Sequence, residues 1–329
     1  MPKSRRSILR LLGGIAVCQS LPLVRASAQS FPDRSINLFV GFPAGGATDI
    51  TARVVGHKIS EILGQPVLVR NQPGASTLIA TETVVRSAAD GYTLLLIPIS
   101  TAVYSGLRKN LPYDLERDMA PVSLVATGPF VLIVNSSFSS RSVKELIELA
   151  RSKPGKINAA SVGVGSAHHL VLELFKETAK VDLVHVPYKG AMPADLAVAS
   201  GEVQMSFSSA AGALPLLKSG KITALAVTSA TRLSSIPSVP TLDESGLTGF
   251  DYSAWYGISA PANVPRTNIM RLNAAIGQAV QAPEVKDILI KQGFEPKAST
   301  PEEFAAIISR EIKRTIGVAK TAKLDMKLE

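Results

Sequence analysis

The feature that most constrains this chain is an alternation repeated along most of its length. A short apolar run is followed by a turn containing glycine or proline, and then by a segment with apolar side chains at helical spacing. That order specifies a parallel sheet covered by helices, because parallel neighbours need a crossover and the crossover is usually a helix. Ile36 to Phe42 reads as a strand, Pro43-Ala44-Gly45-Gly46 as its turn, and Thr48 to Leu63 as a helix burying Ile50, Val54, Ile59 and Leu63, with Gly64 as its stop. The strand Val67 to Asn71, the turn Asn71 to Ala75, the helix Leu78 to Ala88 and the strand Tyr92 to Pro98 repeat the unit.

An irregular piece is expected from Ser100 to Pro121, after which the pattern resumes. Strands are predicted at 130–134, 157–161, 183–187, 203–207, 222–228 and 253–259, with helices at 143–152, 167–178, 193–199 and 214–218. The tail is helical over 265–280, 283–292 and 301–315, each segment opening near a proline, as first turns favour. So many units, in a chain of 329 residues, divide naturally into two lobes.

The chain begins with a basic head, an apolar run from Leu11 to Val24 broken by Gln19, Ser20 and Pro22, and then Ala26-Ser27-Ala28. These are the parts of a cleavable export signal, with cleavage expected after Ala28 and a bacterial periplasmic destination. Ser4 to Arg10 also resembles a twin-arginine signal, with Ile8 and Arg10 at positions where that pattern prefers other residues; the twin-arginine route and the ordinary one both fit. Cys18 follows the bulky Val17, which argues against a lipid anchor, and no later segment is long and uncharged enough to span a membrane.

Lys3, Arg5, Arg6, Arg10 and Arg25 are five of the 35 basic residues, so without the leader 30 bases face 26 acids. An excess this mild, spread along the chain, argues against a nucleic-acid partner. Cys18 is the only cysteine, which leaves the exported chain without a disulfide, a zinc cluster or a thiol nucleophile.

Three strand-to-helix loops are candidate ligand sites. In the first, Phe42 to Asp49, Gly45 and Gly46 allow backbone N–H groups to converge with those of Ala47 and Thr48 on an anion. Asp49 would repel a carboxylate if it pointed inward, so it is expected to face the helix backbone or a water. The second runs from Ser161 through Gly163 and Gly165 to Ser166, with His168 and His169 in the next turn. Adjacent histidines do not present the i, i+4 pair of a metalloprotease, so a donor or packing role is expected for at least one. The third is Tyr188-Lys189-Gly190, where a phenol beside an ammonium suits a carboxylate. Ser206, Ser208 and Ser209 form a further polar cluster, and Ser100 with Thr101 another. No Gly-x-Ser-x-Gly elbow occurs, and His57 and His185 fit structural roles, so recognition is favoured over catalysis and no cofactor or metal is expected.

At this point the chain resembles the extracytoplasmic substrate-binding proteins of tripartite tricarboxylate transporters, the Bug family. The resemblance runs through Phe31-Pro32-Asp33-Arg34, the loop Phe42 to Asp49, Leu63 to Val67, Asn71 to Ala75, Ala89 to Leu94, Tyr188-Lys189-Gly190 with Pro193, Ile236 to Thr241, Trp255-Tyr256-Gly257 and Ala260-Pro261. It implies an α/β, two-lobed periplasmic binding protein fold of type II-like form with the ligand cleft between lobes. Lobe 1 would comprise 29–126 with 226–329, and lobe 2 would comprise 127–225. It further implies a monomer that is not membrane-inserted and that carries a small organic acid to two membrane subunits. Gly45 to Thr48 and Ser161 to Ser166 would hold the carboxylate. Two departures are Ala44, where the family usually has Pro, and Ser208, where it often has Asp; the latter favours a di- or tricarboxylate ligand. A sensory receptor feeding a membrane kinase through the same cleft is the alternative, and a hydrolase or lyase is a third reading.

Overall fold

The structure is a computed structural model that describes residues 31–74, 77–108 and 110–321. The export signal, its cleavage bond and Cys18 lie outside the described residues, as does Ala75 of the second turn.

The first units form as the apolar pattern requires. Strand β1 (Ile36–Val40) buries Ile36, Leu38 and Val40 completely and lies between β2 (Val67–Asn71) and β3 (Thr93–Pro98), parallel to both. Helix α1 (Ala47–Leu63) ends at Gly64, whose φ of 69° is open to glycine, and its N–H returns to the Ser60 carbonyl. The inner stripe of α1 differs from expectation. Thr48, Thr51, Ala52, Val55, Gly56 and Ile59 are buried, while Ile50, Val54 and Leu63 are only half-buried. Small residues bring the helix close to the sheet: a Cβ on Gly56 would sit 3.3 Å from Val67. Helix α2 (Leu78–Val85) completes this set, and β3 is buried on both faces, as a central strand should be.

The expected irregular piece is ordered instead. It contains α3 (Ile99–Leu107), α4 (Leu115–Asp118) and the start of β4 (Met119–Asn135). Serines, threonines and glycine hide the period of α3, yet Thr101, Ala102, Tyr104 and Gly106 are among the residues it buries. Pro121 and Pro129 disguise β4, which accommodates Pro121 beside a register shift and Pro129 where it exchanges partners.

That exchange organises the molecule. Residues 119–129 of β4 pair antiparallel with β9 (Ser253–Pro261), and residues 130–135 pair antiparallel with β7 (Met205–Ser209) and β8 (Ile222–Val227). Strands β5 (Asn158–Ser161) and β6 (Val184–Pro187) extend the second half parallel to β7. A short β10 (Glu295–Pro296) pairs with the first half of β4. Helices α5 (Val143–Ser152), α6 (Ala167–Ala179), α7 (Ala191–Ser200) and α8 (Ala210–Lys218) cover the second half; α9 (Arg266–Gln281), α10 (Pro283–Lys291) and α11 (Pro301–Thr321) return to the first. The result is an α/β fold of two lobes on one curled sheet.

Because β3 and β4 are both antiparallel to β9, the three strands β1 to β3 run with β4, whereas β5 to β7 run against it. Their carboxyl ends therefore face each other across the middle of β4. Pro98 of β3 is level with Tyr256 and hence with Ala126, and Ser209 of β7 is level with Phe130. Four residues of strand separate the two levels, roughly 13 Å.

Thr228 stitches this crossing. It is fully buried; its Oγ accepts the Phe130 N–H at 2.9 Å and donates to the Tyr252 carbonyl, while its backbone bonds both residues again. Thr228→Val keeps the shape and orphans the Phe130 N–H. It should cost about 1–3 kcal/mol in urea unfolding. An unchanged midpoint would mean that the stitch contributes nothing.

Candidate functional site

The loop after β1 is fixed by Asp49. Its Oδ2 accepts from the Gly45 N–H at 2.9 Å and from Arg53 Nε at 3.0 Å, and its Oδ1 accepts from Asn71 Nδ2 at 2.8 Å. Asn71 also donates to the Phe42 carbonyl and accepts from Arg53, so two neighbouring strand-end loops close on one carboxylate. Burial pushes the Asp49 carboxyl up, but the bonds from Arg53, Gly45 and Asn71 outweigh burial and hold it below the usual value. Asp49 therefore faces the loop itself, more firmly than a water-facing residue would.

What this leaves is the start of α1. Its N-cap, Gly46, supplies no side chain, and the first intrahelical bond runs from Ile50 to the Gly46 carbonyl. The Ala47, Thr48 and Asp49 amides precede that bond and lie at the positive end of the helix. Only Gly45 needs glycine, at φ 87°; Gly46 is extended at φ −82°, a conformation any residue adopts. The Thr48 side chain is buried and hydrogen-bonded to Tyr256. Helix α3 likewise starts without a side-chain cap, after Pro98, with half-buried Ser100 in its first turn. Thr101 bonds Thr77 at 2.9 Å, and Thr77 packs so tightly on Gly41 that a Cβ there would lie 2.7 Å from it. The sequence pattern does not mark Gly41, Thr77 or Tyr256 as site residues; the glycine immediately after β1 is the available signal.

The second-lobe loop spends its donors internally. The Gly163 N–H donates to Ser161 Oγ at 3.1 Å, the Gly165 N–H to His169 Nδ1 at 3.2 Å, and Ser166 Oγ caps the His169 amide while donating to the Gly163 carbonyl. Ser161 Oγ lies 2.6 Å from His185 Nε2. Gly163 and Gly165 adopt φ of 126° and 75°, which requires glycine. His168 packs edge-on against Phe130, and burial pushes it down to about 4, so it is neutral.

Tyr188 donates its hydroxyl to Glu202 at 2.7 Å, and burial together with that carboxylate pushes the phenol up to about 12. Tyr188 lines a cavity of about 560 Å³ with Pro193, Leu196 and Lys221, which includes no residue of the loops after β1 and β5. Lys189 beside it is exposed. Ser206 bonds the Ala160 carbonyl, and Ser209 caps α8. Ser208 meets an acid after all: Asp195 of α7 is hydrogen-bonded to it, with burial pushing that carboxyl up to about 6. The substitution at Ser208 thus does not leave this corner without a carboxyl, because α7 packs over β7 and delivers another. Among the described residues, no cluster of His, Cys, Asp or Glu could hold a metal ion.

Two α/β lobes on one continuous strand, with helix N-termini of both lobes directed at the gap, define a two-lobed periplasmic binding protein. Comparison with known proteins agrees. The profile of the tripartite tricarboxylate transporter family receptor (TctC) matches residues 51–324. Protein BugT of Bordetella pertussis is 35% identical over 325 residues, covering 98% of this chain and all of BugT. A Rhodopseudomonas palustris protein solved with adipate is 33% identical, with a TM-score of 0.79 over 89% of this chain and 99% of that one. Another from that organism, solved with bound malate, is 31% identical, with a TM-score of 0.75 over 88% and 99%. The chain belongs to the tripartite tricarboxylate transporter receptor family, a family of solute-binding receptors of the periplasm and not of enzymes.

The depressed Asp49 carboxyl stabilises the fold fully above the ordinary carboxylate range, and that contribution disappears as pH falls through its lower folded value. Asp49→Asn should therefore lower the urea midpoint at neutral pH by the equivalent of about 1–3 kcal/mol and flatten the acid limb. Parallel acid limbs for the two proteins would refute the latch.

Proposed function

We propose that this receptor captures a small di- or tricarboxylate between its lobes and, on closing, hands it to two membrane subunits. The observation that carries the reading is the uncapped start of α1, beside that of α3, at strand ends that face the second lobe across the crossing. Unpaired amides at the positive end of a helix suit a carboxylate, and no arginine or metal is needed to hold it. The relatives solved with adipate and malate support this ligand class.

The lobes we assign are 29–126 with 226–329, and 127–225, meeting at the Phe130–Thr228–Tyr252 stitch. Ala47 and Thr48 would bind through their amides, with Phe42, Gly45, Gly46 and Ser100 shaping the wall; Asp49 would act from behind. On the opposite side, Ser161, Gly163, Gly165 and Ser166 would form a rigid surface, with Lys189 supplying charge at the rim. Ser206, Ser208 and Tyr188 are bonded within the second lobe and would support it. Export would remove residues 1–28 and leave a monomeric mature chain.

Gly46→Val tests the placement cleanly, because the extended backbone accepts valine and the nearest atom to a Cβ there is 3.9 Å away. Calorimetry with malate, adipate, succinate and citrate should show one-to-one binding by the wild type. Gly46→Val should weaken it at least about tenfold, the size of one lost charge-assisted hydrogen bond. Its melting temperature should fall only slightly, as valine is the poorer N-cap, and the chain should stay folded at the assay temperature. Full affinity in the variant would put the site elsewhere, and binding of aspartate or a nicotinamide-type compound with no response to these acids would reject the ligand class.

A further inference from the structure

We infer that His169 is a positioning residue whose Nδ1, by accepting the Gly165 N–H, holds the second-lobe loop in its binding form. The inference rests on the reading that the Ser161 to Ser166 loop borders the ligand.

The Gly165 N–H donates to His169 Nδ1 at 3.2 Å. That nitrogen must therefore carry a lone pair, and the ring proton sits on Nε2, which faces Glu173 Oε1 at 3.6 Å. Glu173 is buried and is bonded in turn to Lys176 at 2.8 Å. Burial pushes the Glu173 carboxyl up, but His169 and Lys176 overcome this and keep it ionised.

On its other face, His169 stacks on His185 of β6, with ring centroids 3.8 Å apart and planes 12° from parallel. His185 Nε2 meets Ser161 Oγ of β5, which accepts the Gly163 N–H. Both glycines of the loop thus hang on the stacked pair, Gly165 directly and Gly163 through Ser161. Burial, reinforced by His169, pushes His185 down to about 4, so its ring is neutral. The helix itself does not require the Gly165 bond, since Ser166 already caps α6. That bond serves the loop.

The test compares the full exported chain with His169→Asn, whose side-chain carbonyl lies where Nδ1 does and can accept from Gly165, and with His169→Leu, which cannot accept. Malate affinity by calorimetry at one fixed pH is read with the Gly165 amide resonance. The Leu variant should bind malate about fivefold more weakly than the wild type, the size of one net hydrogen bond, and the Asn variant should recover most of that loss. The Gly165 resonance should be displaced in the Leu variant and stay near its wild-type place in the Asn variant. Wild-type affinity in the Leu variant, or a Gly165 resonance indifferent to the loss of its acceptor, would overturn the inference. If the Leu variant does not fold, His169→Gln, whose amide reaches the Nε2 position instead, takes its place. A site placed elsewhere would show separately, as Gly165 responding to His169 while malate affinity ignores the variants.

Discussion

Everything in this receptor depends on one strand that changes partners halfway. Because β9 sets β1 to β3 parallel to β4, while β7 sets β5 and β6 antiparallel to it, the carboxyl ends of two parallel sheets point at a common gap. In open α/β sheets those ends carry the helix N-termini, so the topology alone supplies several partial positive charges directed inward. The core follows the same logic. One apolar cluster runs from Leu95 and Ile97 through Leu132 and Val134 to α6, tying the lobes together beneath the gap, while separate clusters under α1 and α7 fill the outer faces.

The loops at the gap are rigid for reasons of their own. Asp49 ties down the first-lobe loop and the stacked histidines tie down the second, so neither must be ordered by the ligand. Pre-organisation of this kind saves the entropy of fixing a loop at the moment of binding. It also separates two jobs that glycine-rich loops are often assumed to combine. The Gly45, Gly163 and Gly165 amides hold the loops, and the helix-start amides remain for an anion.

Much of this was legible in advance. Strand order, helix order and the Gly64 stop follow from periodicity and turn residues, and the loops flagged after β1 and β5 do sit on facing strand ends. The inner stripe of α1 departs from the apolar pattern because burial there follows small residues that permit close approach, whereas the large apolar ones stay half-exposed. Helix α3 and the first half of β4 are hidden in the sequence, because hydroxyl residues and two prolines mask their periods. Which way an amide points is set by contacts between residues distant in the chain, such as Asn71 with Asp49 or His185 with Ser161. Asp195 beside Ser208 belongs to the same class: a carboxyl absent at one position returned from a neighbouring helix, which sequence order alone does not show.

The most direct test of the central claim is the response of single amides to ligand. With the exported chain isotopically labelled and titrated with malate, the Ala47 and Thr48 amide protons should move downfield, saturating at the calorimetric affinity, as new hydrogen bonds to a carboxylate require. Malate binding that leaves both resonances in place would contradict the account, since the anion would then be held by something other than the start of α1.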